Sequence, residues 1–247
     1  MEFFLRKPKH DKFELEGDDV QKSLHKNLEF TALEQYKLIR ANLDFTLPEN
    51  EKCPVIGVTS SMRGEGKSTT SINLSYVLAL KGSKVLLIDG DLRLPSVAKK
   101  MDIDNNFGLA NFLTREGAQV SQISSFELDN WYVLTSGDIP PNPSELLGSS
   151  RMKKALEQFK EAFDYIVIDL PPVNLVSDAI SVSSLLSGMI LVVREEHAGK
   201  KEVDKCVRQL RLSNVNVLGC VLTGANSGVG SYGKYKKYKY YKSESDD

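Results

Sequence analysis

Cysteine is scarce and badly placed for pairing. Cys53, Cys206 and Cys220 are an odd number at unrelated spacings, so neither a disulfide framework nor a zinc knuckle follows, and reduced thiols of a cytosolic protein are expected. Long apolar runs are missing as well. Stretches such as Met189 to Val193 have the length of a strand, far short of the ~20 residues that cross a bilayer. Met1 to His25 mixes charges every few residues and holds nothing resembling a signal peptide, so the chain is expected to be soluble by itself. Nor does charge of one sign dominate. Thirty-two Lys and Arg against 33 Asp and Glu leave a net charge of −1, without the basic face of a dedicated nucleic-acid binder, and no nucleic acid is expected as a partner. The three histidines, His10, His25 and His197, stand apart from the cysteines and from one another and read as surface residues.

What is present suffices for a core. With 247 residues, 41% of them hydrophobic, the chain fits one α/β domain plus tails. Residues 1–27 are charged and aperiodic, which predicts a mobile arm ahead of a domain at 28–227. Thr31-Ala32-Leu33-Glu34 has the spacing of a capping box with order beginning at Thr31, and Leu28, Ala32, Tyr36, Ile39 and Leu43 follow as an apolar stripe. Beside that stripe Glu34, Lys37 and Arg40 form a solvated ion-pair face. From Lys52 onward apolar runs at Val55–Thr59, Val85–Asp89, Trp131–Thr135, Tyr165–Asp169, Met189–Val193 and Val217–Leu222 alternate with helical patterns at Thr69–Leu80, Ser150–Phe163, Asp178–Leu186 and Lys200–Leu212. Near-continuous apolar strands spaced by helices predict a mostly parallel sheet with helices on both faces, whose ligands sit at the carboxyl ends of the strands. Asp102–Asn130 is less regular, and the proline-rich Gly137–Pro143 is expected to be a loop.

The most informative stretch is Ser61-Met62-Arg63-Gly64-Glu65-Gly66-Lys67-Ser68-Thr69, directly after an apolar run. It has the spacing of a P-loop: glycines let successive N–H groups curl toward one anion, a lysine reaches the outer phosphates and a serine hydroxyl holds magnesium. The helix behind it adds its N-terminal partial charge. ATP with Mg2+ is the expected guest, cradled by Arg63 to Thr69. Two further strands end in acid, at Asp89-Gly90-Asp91-Leu92-Arg93 and at Asp169-Leu170-Pro171-Pro172. A carboxylate at a buried strand tip costs desolvation unless a cation compensates it, and magnesium on phosphates is such a cation. Asp169 is placed to orient the metal, and Asp89 to share it or to take a proton from an attacking hydroxyl. Asp91 and Arg93 either support that site or form an N-cap and a surface ion pair.

These three motifs together resemble the deviant Walker ATPases of the MinD/ParA type and, more closely, the bacterial tyrosine kinases of capsule and exopolysaccharide assembly. The resemblance spans roughly residues 28–247. It implies a P-loop NTPase fold, phosphate binding and catalysis by Lys67, magnesium binding by Ser68, and metal or base roles for Asp89, Asp91 and Asp169. Pro140-Pro141-Asn142-Pro143-Ser144-Glu145-Leu146-Leu147 is similar to a segment of the kinases, and Glu34-x-x-Lys37-x-x-Arg40 to the helix motif with which they build rings of subunits. Met62 stands in place of the MinD-type lysine, Ser61 in place of Gly or Ala, Lys37 in place of arginine and Leu170 in place of threonine. Thr223 stands where an adenine-reading asparagine is usual, with Asn226 close by.

The last twenty residues, 228–247, are rich in Gly, Lys and Ser and predict a flexible tail, yet hold Tyr232, Tyr235, Tyr238, Tyr240 and Tyr241, five of the nine tyrosines. Aromatics in a basic patch suit contact with nucleic acid or anionic lipid. Beside a kinase-like site they are equally what autophosphorylation between subunits requires. The resemblance implies a self-assembled ring, a separate transmembrane activator, an opposing tyrosine phosphatase and a cytoplasmic protein recruited to the inner face of the membrane. Two other classes stay open: a switch ATPase acting through a nucleotide-dependent dimer, and an adaptor that binds nucleotide without turnover.

Overall fold

A computed structural model describes residues 24–48 and 50–225. One seven-stranded sheet has the order β3-β4-β2-β5-β1-β6-β7, from β1 (Val55–Ser60), β2 (Val85–Asp89), β3 (Ser125–Phe126), β4 (Leu128–Leu134), β5 (Tyr165–Asp169), β6 (Gly188–Arg194) and β7 (Val217–Thr223). All neighbours run parallel except β3, which meets β4 antiparallel at the edge. Eight α-helices accompany it among the described residues: α1 (Phe30–Thr46), α2 (Lys67–Leu80), α3 (Val97–Met101), α4 (Leu109–Thr114), α5 (Pro143–Leu147), α6 (Ser150–Ala162), α7 (Asp178–Val182) and α8 (Lys200–Leu212). None of the described helices is long and apolar enough to cross a membrane.

The alternation of side chains along each strand builds two cores. Leu86, Ile88, Ile166 and Ile168 point to the layer holding Phe112, Phe159, Ala179 and Leu210 of α4, α6, α7 and α8. Val85, Leu87, Val167, Ile56 and Val58 point the other way, onto Leu43, Ile72, Leu74, Val77, Val97 and Met101 of α1, α2 and α3. Every residue of β1 and β2 is buried, as a central strand covered on both faces requires.

Several expectations need correction. The helix at α1 starts at Phe30 with Glu29 as N-cap and no side-chain cap, so the capping box at Thr31 and Glu34 does not form. The face that packs inward is Leu33, Tyr36, Ile39, Leu43 and Leu47. Leu24 to Asn27, assigned to the arm, belong to the fold: Leu24 is fully buried, and His25, expected at the surface, is 8% exposed. The His25 ring lies edge-on to Tyr76 and Phe126 and 5.9 Å from Trp131, and burial lowers its pKa. Charged neighbours hide this plug from a reading of composition. Gly137–Asn142 is a loop, but Pro143 is the first residue of α5, the one helical position that needs no N–H. The irregular 102–130 stretch contains α4, β3 and the start of β4.

Candidate functional site

Adjacent strands β2, β5 and β1 deliver the site. Register pairs Asp89 with Asp169 and Val58 with Asp169, so both acids and the loop after β1 emerge at one sheet end. In that loop Gly64 (φ 81°) and Gly66 (φ 92°) are left-handed, which a side chain would resist. A Cβ on Gly66 would also lie 3.3 Å from Thr223 Oγ1. Glu65 is fully buried. Its carboxylate accepts from Ser61 Oγ (2.9 Å), Met62 N (2.6 Å) and Arg194 N (3.4 Å), while its carbonyl accepts from Thr223 Oγ1 (2.6 Å). Ser61 therefore has a function at the opening position: it ties the loop to its internal carboxylate.

Lys67 opens α2 and points its ammonium at Asp91 Oδ2 (2.9 Å) and Asp169 Oδ2 (3.6 Å). Burial opposes its charge, but Asp169, Asp91 and Asp89 together hold its pKa above the ordinary lysine value. Asp169 is fully buried; Ser71 Oγ donates to its Oδ1 (3.3 Å), and its Oδ2 accepts no hydrogen bond. Desolvation raises its pKa, with Lys67 opposing. Asp89 accepts from Asp91 N (3.2 Å), Ser96 N (3.0 Å) and Val97 N (2.9 Å), anchoring the start of α3. Burial, then the adjacent Asp169, push its pKa up to about 7 against those donors. Ser96 Oγ donates to Ser68 Oγ at 2.8 Å.

Between the loop and α3 lies a cleft of about 400 Å³ lined by Arg63, Gly64, Gly66, Lys67, Ser68, Thr69 and Asp91, together with Leu94, Ser96, Lys100 and Arg194. A larger hollow of about 770 Å³ beside Met62 and Arg63 is lined by Glu202 but by none of Asp89, Asp91 and Asp169. The cleft residues fit a nucleotide and its divalent metal: two left-handed glycines under a helix N-terminus, a lysine, a serine hydroxyl, and a buried carboxylate oxygen lacking a donor.

Of the expected site residues, Glu65 turns its side chain into the loop, and Asp89 and Asp169 lie beneath the cleft floor. Asn226 and the five tail tyrosines fall outside the described residues. Arg93 forms a two-pronged ion pair with the buried Asp178 (2.8 and 3.0 Å), and Ser144 bonds the same carboxylate. Asp178 thus joins the segment after β2 to α5 and α7, whereas in the sequence it reads only as a helix residue. Arg194, which donates to Gly64 O (3.2 Å), is equally absent from the expected set, although it ends an apolar strand as the aspartates do. His197 is exposed and meets Arg63 O at 2.6 Å.

A protein-family model described as AAA domain matches residues 53–211. The tyrosine-protein kinase YwqD of Bacillus subtilis (strain 168) is 37% identical over 180 residues, 71% of this chain and 76% of that protein. The chain belongs to the bacterial tyrosine kinases. Among solved structures, the chimerical protein CapA2B2 is 34% identical, with a TM-score of 0.76 over 83% of this chain and 89% of that one. The septum site-determining protein MinD of Pyrococcus horikoshii OT3, complexed with Mg-ADP, is 26% identical, with a TM-score of 0.57 over 69% and 70%. In this tyrosine-kinase chain the polar groups of α1 at positions 34, 37 and 40 are engaged within the subunit. Glu34 pairs with Lys37 (2.7 Å), and Arg40 donates to the Val77 carbonyl (2.9 Å) of the same subunit.

Proposed function

We propose that this chain is an ATP- and magnesium-dependent protein tyrosine kinase that phosphorylates Tyr232, Tyr235, Tyr238, Tyr240 and Tyr241 of a second copy. The observation that carries the reading is the convergence of Lys67 and Ser68 with Asp89, Asp91 and Asp169 at one sheet end. Lys67 holds the outer phosphates. Ser68 and the donor-free oxygen of Asp169 would hold magnesium, with Asp89 beside them; the metal supplies neutralisation of charge on the transferring phosphoryl group. As the γ-phosphorus exchanges its bond to the bridging oxygen for one to the phenol oxygen, Asp89 takes the phenol proton. A carboxyl with a pKa of about 7 is suited to that task near neutrality. Asn226 is assigned to the adenine end, and Glu34, Lys37 and Arg40 to contacts between copies in a ring.

The kinase name of YwqD supports the transfer, and the two-part name of the CapA2B2 chimera supports a second protein as partner; we assign that partner as a membrane-spanning activator that brings the kinase to the inner face of the membrane. Regulation of capsule or exopolysaccharide synthesis, opposed by a tyrosine phosphatase, completes the reading. Each phosphate adds about −1.5 to −2 charge, so several would reverse the sign of the tail and release it from a neighbouring cleft. Incubation with ATP and magnesium, with and without a membrane fraction, followed by mass spectrometry, tests this. Phosphate is expected on the tail tyrosines and lost in Lys67→Met; unlabelled tyrosines refute it. The likeness to MinD favours one rival, a switch ATPase, which predicts phosphate released to water with no protein labelling.

A further inference from the structure

Helix α3 brings a second lysine to the phosphate cleft. Asp89 fixes the start of this helix by accepting from Ser96 N and Val97 N. Val97 and Met101, four residues apart, are buried in the core beneath it. Ser96 and Lys100 share the same four-residue spacing on a neighbouring face, and both line the cleft. Lys99, next in sequence, is exposed.

Two of the other cations of the cleft are engaged, while Arg63 sits on the loop itself. Lys67 pairs with Asp91 and Asp169, and Arg194 donates to Gly64 O. Lys100 makes no ion pair and donates no hydrogen bond among the described residues. It is half-buried, so burial lowers its pKa, and the charges it feels are Asp169, which raises it, and Lys67 and Lys99, which lower it. It lines the same cleft as Lys67 and Ser68. A partly desolvated ammonium without a counter-ion is uncompensated until an anion arrives.

We propose that Lys100 is a catalytic residue that binds the terminal phosphate of the nucleotide and stabilises the charge spread over it during transfer. This rests on the nucleotide reading of the cleft. Lys100 donates no proton in the step and forms no covalent bond. It acts from a helix whose start Asp89 fixes, on the same cleft as the P-loop, and one such group contributes about 10²- to 10³-fold to kcat.

The test compares Lys100→Met, Lys100→Arg and the exposed control Lys99→Met in the full chain. Calorimetry with magnesium gives the affinities for ADP and for a non-hydrolysable ATP analogue, and single-turnover labelling gives the transfer rate. Lys100→Met is expected to bind ADP within about twofold of the unaltered protein, which also certifies its fold. It should bind the ATP analogue about tenfold more weakly and transfer phosphate about 10²-fold more slowly. Lys100→Arg should recover most of both, and Lys99→Met should change neither. Equal affinity of Lys100→Met and the unaltered protein for the ATP analogue overturns the proposal, and so does a loss shared equally by ADP. If the unaltered protein binds neither nucleotide, the nucleotide reading falls and takes this assignment with it.

Discussion

Replacing Lys67 by methionine removes an ammonium that faces both Asp91 (2.9 Å) and Asp169 (3.6 Å), so the substitution should alter stability as well as activity. Deleting one partner of a buried ion pair costs about 3–5 kcal/mol while the remaining charge persists. The carboxylates have an escape, which is to bind a proton. Asp89 and Asp169 already sit above the ordinary value of 3.8 because burial disfavours their charged forms, and loss of the lysine raises them further. The native variant then holds protons that the unfolded chain has released, so its stability falls as pH rises from about 4 through the raised values. Each extra bound proton contributes a slope of about 1.4 kcal/mol per pH unit. Urea unfolding without metal or nucleotide should show the deficit of Lys67→Met largest at pH 8 and shrinking toward pH 5. A deficit that stays constant with pH, or grows toward acid, refutes the electrostatic account of the site.

Three other perturbations follow from the geometry. Leu24→Ala, at a fully buried position outside the expected domain, should destabilise by about 2–5 kcal/mol in denaturant unfolding; a loss under about 0.5 kcal/mol would show that the N-terminal plug is dispensable. Gly66→Ala must place a side chain at φ 92° and 3.3 Å from Thr223, a strain of about 1–2 kcal/mol, and should weaken nucleotide binding at least tenfold by calorimetry, with an unchanged circular dichroism spectrum. Asp178→Ala strands Arg93; because that side chain is 41% exposed, the cost should be nearer about 2 kcal/mol than the full buried-pair value. Its phosphotransfer rate should fall more than its ADP affinity, and an equal fall in both would contradict a role in holding the segment after β2.

The sheet, its order of helices and the cluster of Lys67, Ser68, Asp89, Asp91 and Asp169 are legible in the sequence because their signals are local and redundant. An apolar run that ends in an acid, or in a Gly-rich turn, is hard to mistake for anything but a buried strand delivering a polar group to the sheet end. Leu24 and His25 are illegible because their burial depends on Trp131 and Phe126, more than a hundred positions away, and their own neighbours are charged. Pro143 misleads because a proline run argues against a helix interior, whereas the first helical residue is exempt. Lys100 and Asp178 carry no signature of their own. Each becomes visible only when a short helix is placed, α3 by its bonds to Asp89 and α7 by the ion pair of Asp178 with Arg93.

The pairing of Asp89 with Asp169 across β2 and β5 ties assembly to chemistry. A slip by a single residue between those strands would send one acid to the opposite layer and drag Asp91 away from Lys67. A copy with those two strands out of register would lack the assembled cluster altogether.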